Sequence, residues 1–342
     1  MALLDSIDTG FTHLDRVTSL RWLVPVIAAV VAFGAGGCVA PVPASANVVP
    51  DKAFQTCLNS LLGQDGSADI TPTQLGSLHG RVDCLGDGVV SLEGAQYLAN
   101  TTDLDLSGHK VSDLTPLSGL TSLTTLQLDG NNVSDLGPLA GLTSLSSLYL
   151  ENNQISDLAP LSGLESLKSL RLSNNQITDV SPLSGVGNLI YLGLSKNQIS
   201  DVRPLAGLAN LESLYPDGNQ ISDVTALASL TNIQQIHLNE NQISDLSPLG
   251  NWLHHGWDLI ATAQQVDLGT VMPGTVPVPI VTTTGYEMVV DVQSGPAVIN
   301  GDGTITYKAA GSVVLTWDTP WPNPQSSNRF FSGTATVTVV AQ

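Results

Sequence analysis

The segment NNQISDLAP at residues 152–160 recurs almost letter for letter at 174, 196, 218 and 240, each time 22 residues on. So strict a period confines the chain to a stack of like units, because a unit this short cannot bury its own apolar face and must share a core with its neighbours. Aligning the period gives seven units. Their paired apolar positions are Leu104/Leu106, Leu126/Leu128, Leu148/Leu150, Leu170/Leu172, Leu192/Leu194, Leu214/Pro216 and Ile236/Leu238. The L-x-L alternation predicts a short strand with one face buried.

Three residues past each pair stands an Asn: Asn131, Asn153, Asn175, Asn197, Asn219 and Asn241, with His109 in the first unit. Together with the leucines this is the L-x-x-L-x-L-x-x-N signature of leucine-rich repeats. A buried amide can donate to one coil's carbonyls and accept from the next coil's N–H, so this ladder is expected to be structural. Each unit then runs through Val or Ile and Ser or Thr to an Asp (Asp113, Asp135, Asp157, Asp179, Asp201, Asp223 and Asp245), with Pro following in six units of seven. Ser-Asp ahead of x-Pro-Leu predicts helix N-capping by the Asp and short 3₁₀ turns on the convex side. Proline has no N–H to donate, so Pro216 predicts a sixth strand that is weakened or bulged.

The ends of the stack need caps. DKAFQTCLNSLLG (51–63) has helical spacing in Phe54, Cys57, Leu58, Leu61 and Leu62, and ITPTQLGSLHG opens a second short helix. After residue 267 the period is gone, and short β-rich runs separated by Gly, Pro and Asn predict a small sandwich, with NGDG (300–303) as its clearest hairpin turn.

A helical cap leading into SLEGAQYL, then 22-residue units of NQISDLxPLxxL, then DLIATAQQVDL (258–268), resembles the internalin family of bacterial surface proteins. The resemblance implies that DLIATAQQVDL is a degenerate last repeat entering an immunoglobulin-like domain. The expected fold is a leucine-rich repeat solenoid, with parallel β-strands on the concave face and 3₁₀ turns on the convex face. A helical N-terminal cap precedes it and an all-β Ig-like sandwich follows. The expected divisions are a signal peptide over 1–37, a linker over 38–50, the cap over 51–102, the repeats over 103–258, and the degenerate repeat with the Ig-like domain over 259–342. The sequence departs from the family pattern in lacking L-P-x-T-G and cell-wall-binding repeats, which leaves wall anchoring unsupported.

Composition bears on compartment and partners. Thirty acidic against eleven basic residues give a net charge of −19, which repels nucleic acid and anionic membrane surfaces. The apolar run WLVPVIAAVVAF (22–33), preceded by Arg16 and Arg21 and followed by small residues, predicts a secretion signal too short to span a membrane. Two cleavage sites compete: AGGC resembles a lipobox that would lipidate Cys38, and ASA (44–46) would release a secreted chain. Of the three cysteines, Cys57 and Cys84 can pair across a loop of about 26 residues, a constraint worth ~3 kcal/mol. That leaves Cys38 as the odd one, where a lipid anchor wants it.

No nucleophile, phosphate-loop or zinc-protease motif occurs, and none of the six histidines has the spacing of a metal ligand. DLDLSG (103–108) imitates a calcium loop but lacks its terminal Glu, and Leu104 and Leu106 belong to the core. No enzyme activity, cofactor or metal is expected.

What varies between units is the solvent-facing set of strand positions. There the chain places Tyr149, Glu151, Arg171, Tyr191, Tyr215, Asp217 and His237, and Tyr and Arg are enriched at binding hot spots. The alternative is that exposed tyrosines merely suit a strand. In internalins the concave face binds partner proteins, so the resemblance implies a protein ligand there, with a glycan as the other option. The expected function is an exported, monomeric adhesion module, lipid-anchored at the outer face or secreted. A self-associating structural envelope protein is the alternative.

Overall fold

The structure, a computed structural model, describes residues 46–84, 86, 88–249, 258–271, 274–277, 289–300, 304–318 and 331–339. These belong to the second of two compact units, Met1–Val42 and Pro43–Gln342. The signal peptide, Cys38, His254 and His255 lie outside the described residues.

Helix α1 (Lys52–Leu62) starts at Asp51, whose side chain accepts from the N–H groups of Ala53 and Phe54, and ends at left-handed Gly63. The other Asp51 oxygen accepts from the N–H groups of Val90 and Ser91, at 2.9 and 3.1 Å. One carboxylate thus fastens the helix start to a segment about forty residues away. Helix α2 (Pro72–Leu75) opens with a capping box between Thr71 and Gln74. A disulfide joins Cys57 on α1 to Cys84, which follows strand β1 (Gly80–Asp83).

The repeats supply strands β2 (Thr101–Asp105), β3 (Thr125–Gln127), β4 (Ser147–Tyr149), β5 (Ser169–Arg171), β6 (Tyr191–Gly193), β7 (Ser213–Tyr215) and β8 (Gln235–His237). Each pairs in parallel with the next at an offset of 22 residues, Leu126 facing Leu148 and Leu148 facing Leu170. The second apolar position of each pair, the Val or Ile of the turn and the convex leucines are fully buried, so the core is a stack of like layers.

Each ladder Asn donates to the carbonyls of its own and the preceding coil and accepts from an N–H of the preceding coil. Asn153, for example, bonds Leu128 O at 2.9 Å, Leu150 O at 3.2 Å and Val133 N at 2.9 Å. All of its capacity is spent on backbone that has no strand partner. His109 takes this place in the first coil, its Nε2 lying 2.9 Å from Cys84 O.

The seven Asp side chains do not sit at the N-cap. That position belongs to the next residue, such as Leu114, which makes no side-chain bond. Each carboxylate instead accepts from the N–H two residues on, at 2.7–2.9 Å. This is an Asx turn, which orients the chain into a 3₁₀ segment too short to need a full cap. Those segments span three residues at Thr115–Leu117, Gly137–Leu139 and Ala159–Leu161, and five at Ser181–Gly185, Arg203–Gly207 and Thr225–Ser229. After the longer ones, Asn188, Asn210 and Asn232 form a second amide ladder, donating to Glu165 O, Gly187 O and Ala209 O.

Pro216 weakens its strand on one side without a bulge. Elsewhere the second leucine donates to the next strand, as Leu194 N does to Tyr215 O. Lacking that N–H, β7 matches β6 at three positions but β8 at only two.

Strand β9 (Asp258–Val271) pairs in parallel with β8 near its start and with β15 (Phe331–Val339) along the rest. Beyond β15 the sheet continues antiparallel through β14 (Gly311–Asp318) to β11 (Val289–Ser294), while β10 (Gly274–Pro277), β13 (Thr304–Tyr307) and β12 (Ala297–Ile299) form a second sheet. The expected division after residue 258 falls inside β9. Gln264 in β9 replaces the ladder Asn, donating to Leu238 O and accepting from Ile243 N. One apolar core therefore runs from Val48 to Val337.

Candidate binding surface on the concave face

Side chains alternate across a strand, so residues flanking the buried leucine of each strand face away from the core. Tyr149, Arg171 and Tyr215 end β4, β5 and β7, with Gly193 at the same register in β6. With no side chain at Gly193, Tyr191, two residues earlier on the same face, leans across it. A Cβ built on Gly193 would lie 3.5 Å from Tyr191 Cε1 and 3.6 Å from its hydroxyl.

The result is an unbroken line across five strands. The Arg171 guanidinium lies 4.9 Å from the Tyr149 ring centroid and 5.2 Å from that of Tyr191, so a cation is held between two π faces. Tyr191 meets Tyr215 at 5.3 Å, and Tyr215 meets His237 edge-on at 4.8 Å. The Tyr215 hydroxyl donates to Gln235 Oε1 at 2.6 Å. Burial raises the Tyr191 hydroxyl pKa above its usual value, outweighing the pull of Arg171, so the ring stays a neutral phenol.

Glu151 and Asp129 adjoin this line. The Glu151 backbone N–H donates to Asp129 Oδ1 at 2.7 Å, while the half-buried Glu151 carboxylate accepts no hydrogen bond among the described residues. Burial raises the Asp129 pKa, and repulsion from Glu151 and Asp105 adds to it, against the Glu151 N–H and the attraction of Arg171.

Asp217, read from the sequence as part of the same surface, has its oxygens engaged by Asn239 N, Asn239 Nδ2 and the Ser195 hydroxyl. Its bonds brace adjacent coils. The structure thus brings Tyr149, Arg171, Tyr191, Tyr215 and His237 into contact, sets Glu151 beside them and turns Asp217 to its neighbours. Sequence reasoning missed Gly193 as the residue that makes room for Tyr191. Its signal was a glycine inside a strand, which marks a close approach. Among the described residues no group of three or more His, Cys, Asp or Glu could hold a metal ion.

The leucine rich repeat family matches residues 143–185 and 165–221. No curated protein matches the chain. Among solved structures, internalin C2 of Listeria monocytogenes is 41% identical, with a TM-score of 0.58 over 63% of this chain and 93% of that one. A second internalin of that organism, InlF, is 32% identical, with a TM-score of 0.59 over 63% of this chain and 65% of that one. InlP, also from Listeria monocytogenes, is 18% identical and shares the fold, with a TM-score of 0.57 over 87% of this chain and 99% of that one.

Proposed function

Because the chain belongs to the internalin family of leucine-rich repeat proteins, we propose that it is an exported bacterial surface protein that binds a protein ligand on its concave face. Leucine-rich repeat proteins, internalins among them, mediate protein–protein interactions. The observation that carries the reading is the line from Tyr149 to His237: five adjoining side chains, four of them the Tyr and Arg of hot-spot type, at the positions where the repeats differ. Stacking fixes their rotamers before a ligand arrives, which lowers the entropy lost on binding.

Export rests on the apolar run at 22–33, and lipid anchoring on Cys38. Among the described residues no helix is long and apolar enough to cross a membrane. The repeats then act as a monomeric recognition surface, and the sandwich as a rigid stalk that completes the last coil.

Beads coated with the chain and applied to a panel of cell types test the surface. The variant Tyr149→Ala/Arg171→Ala/Tyr215→Ala should lose adhesion while still melting cooperatively, with a loss of about 1–3 kcal/mol for the stacking removed. Undiminished adhesion by that folded variant would discard the concave face. Mass spectrometry of the exported chain tests the anchor: a diacylated Cys38 at the N-terminus supports it, and a start just after Ala46 replaces it with secretion.

A further inference from the structure

Resting on the concave-face reading above, we propose that Arg171 is a preformed receptor for a carboxylate, and that the protein ligand places an Asp or Glu side chain against it. Arg171 is exposed, and none of the ion pairs among the described residues includes it; those pairs are Arg81 with Asp83 and Asp105, and Arg203 with Asp201. Its guanidinium carbon lies over both the Tyr149 and the Tyr191 rings. The planar N–H edge of that guanidinium has the fork that matches the two oxygens of a carboxylate.

The surroundings leave that edge open. Ser169 and Ser173, two residues to either side of Arg171 on the same face, are small. The Tyr149 and Tyr191 hydroxyls make no hydrogen bond among the described residues, unlike that of Tyr215, and can donate to the same ligand group. Clamping between two rings removes rotamer freedom that a free arginine would lose on pairing. The carboxylates of Asp129 and Glu151, which adjoin the line, also act on the ligand. They disfavour a uniformly acidic partner and favour one acidic side chain in a neutral or basic segment.

A displayed library of random dodecapeptides, selected on the immobilised full chain, tests this. Selected peptides should carry a recurrent Asp or Glu. In the synthesised consensus peptide, changing that residue to its amide should weaken binding to the native chain about tenfold. The same change should alter binding to the Arg171→Gln chain by less than about twofold, since the partner is already gone. Arg171→Lys, which keeps the charge but not the fork, should recover only part of the affinity.

Peptides without an acid that still lose binding in Tyr149→Ala/Tyr215→Ala would overturn the carboxylate assignment and leave the concave face standing. Peptides indifferent to every one of these substitutions would overturn both. A failure to enrich any peptide over selection on the Arg171→Gln chain, or binding of an acidic sugar rather than a peptide on a glycan array, overturns the assignment to an acidic side chain.

Discussion

At residues 108, 130, 152, 174, 196, 218 and 240 the backbone turns into the left-handed region, with φ between 54° and 78°. Gly or Asn fills five of these seven sites, and Lys196 and Glu240 fill the others. A side chain with a Cβ costs about 1–2 kcal/mol in that conformation, and Asn tolerates it best. Lys196→Gly and Glu240→Gly are therefore expected to raise stability by ~1 kcal/mol each in urea titration, and a loss would mean that their side chains make contacts worth more than the strain. Asp129 presents the opposite case, a charge held where it is disfavoured. Its pKa is raised by burial and by Glu151, so the folded chain is penalised above that raised pKa and relieved below the ordinary value of 3.8. Asp129→Asn keeps an acceptor for the Glu151 N–H. It should raise the melting temperature at pH 7 and lose that advantage near pH 3; an equal gain at both values would refute a charge effect. These features were partly legible, because aligned repeats reveal the odd residue at a site. What that residue does depends on a neighbour 22 positions away. The Tyr191 ring over Gly193 is such a case, since the period marks both positions as variable without saying that one side chain occupies the other's space.

Elements in this chain are short enough that single bonds decide their edges. Restoring the N–H at Pro216 with Pro216→Leu, the residue at the corresponding Leu194 and Leu238, should add the missing bond toward β8 and stabilise by about 1 kcal/mol. Hydrogen exchange would then find a protected amide at 216; an amide exchanging freely would place the irregularity elsewhere. At the other end, the Asp51 carboxylate serves α1 and the segment at Val90 and Ser91 together. Burial alone would raise its pKa, but four backbone N–H groups more than offset this and hold it below 3.8. A depressed pKa contributes stability that is present above 3.8 and lost as pH falls through the lower value. Asp51→Ala should cost about 2 kcal/mol at pH 7, roughly a cap and a further charged bond, and the gap should narrow in acid. The helix was readable from the spacing of its apolar residues. The second partner of Asp51 was not, because nothing local in sequence ties residue 51 to residue 90. Likewise the Asp of each repeat had the right chemistry but was placed one position off, since Ser-Asp-x-x-Pro fits both an N-cap and an Asx turn.

For the whole molecule, stacking makes stability a sum of neighbour terms, and the end terms matter most. The period announced the solenoid because every unit repeats the same instruction, and the resemblance marked DLIATAQQVDL as a degenerate last repeat, but Gln264 standing in for the ladder Asn was not legible, because the period no longer aligns there. In the fold that strand closes the last coil. Leu238 N bonds Ile260 O, Glu240 N bonds Thr262 O, and Ile243 N bonds Gln264 Oε1 at 3.0 Å. Removing residues 250–342 strips these partners and uncovers Leu238 and Leu249, both buried in the intact chain. Each hydrogen bond given up to solvent costs about 0.5–1.5 kcal/mol, and a leucine uncovered costs about 1.5–3 kcal/mol more. The truncated chain should therefore fray from its last coil. Amides of Leu238, Glu240 and Ile243 should exchange with solvent orders of magnitude faster than in the full chain, while those of Leu128 and Leu150 in the middle stay protected because their neighbours are unchanged. Uniform loss of protection along the stack would mean that the solenoid folds as one cooperative block with the sandwich. Unchanged protection at Leu238 would mean that β9 is dispensable to the repeats.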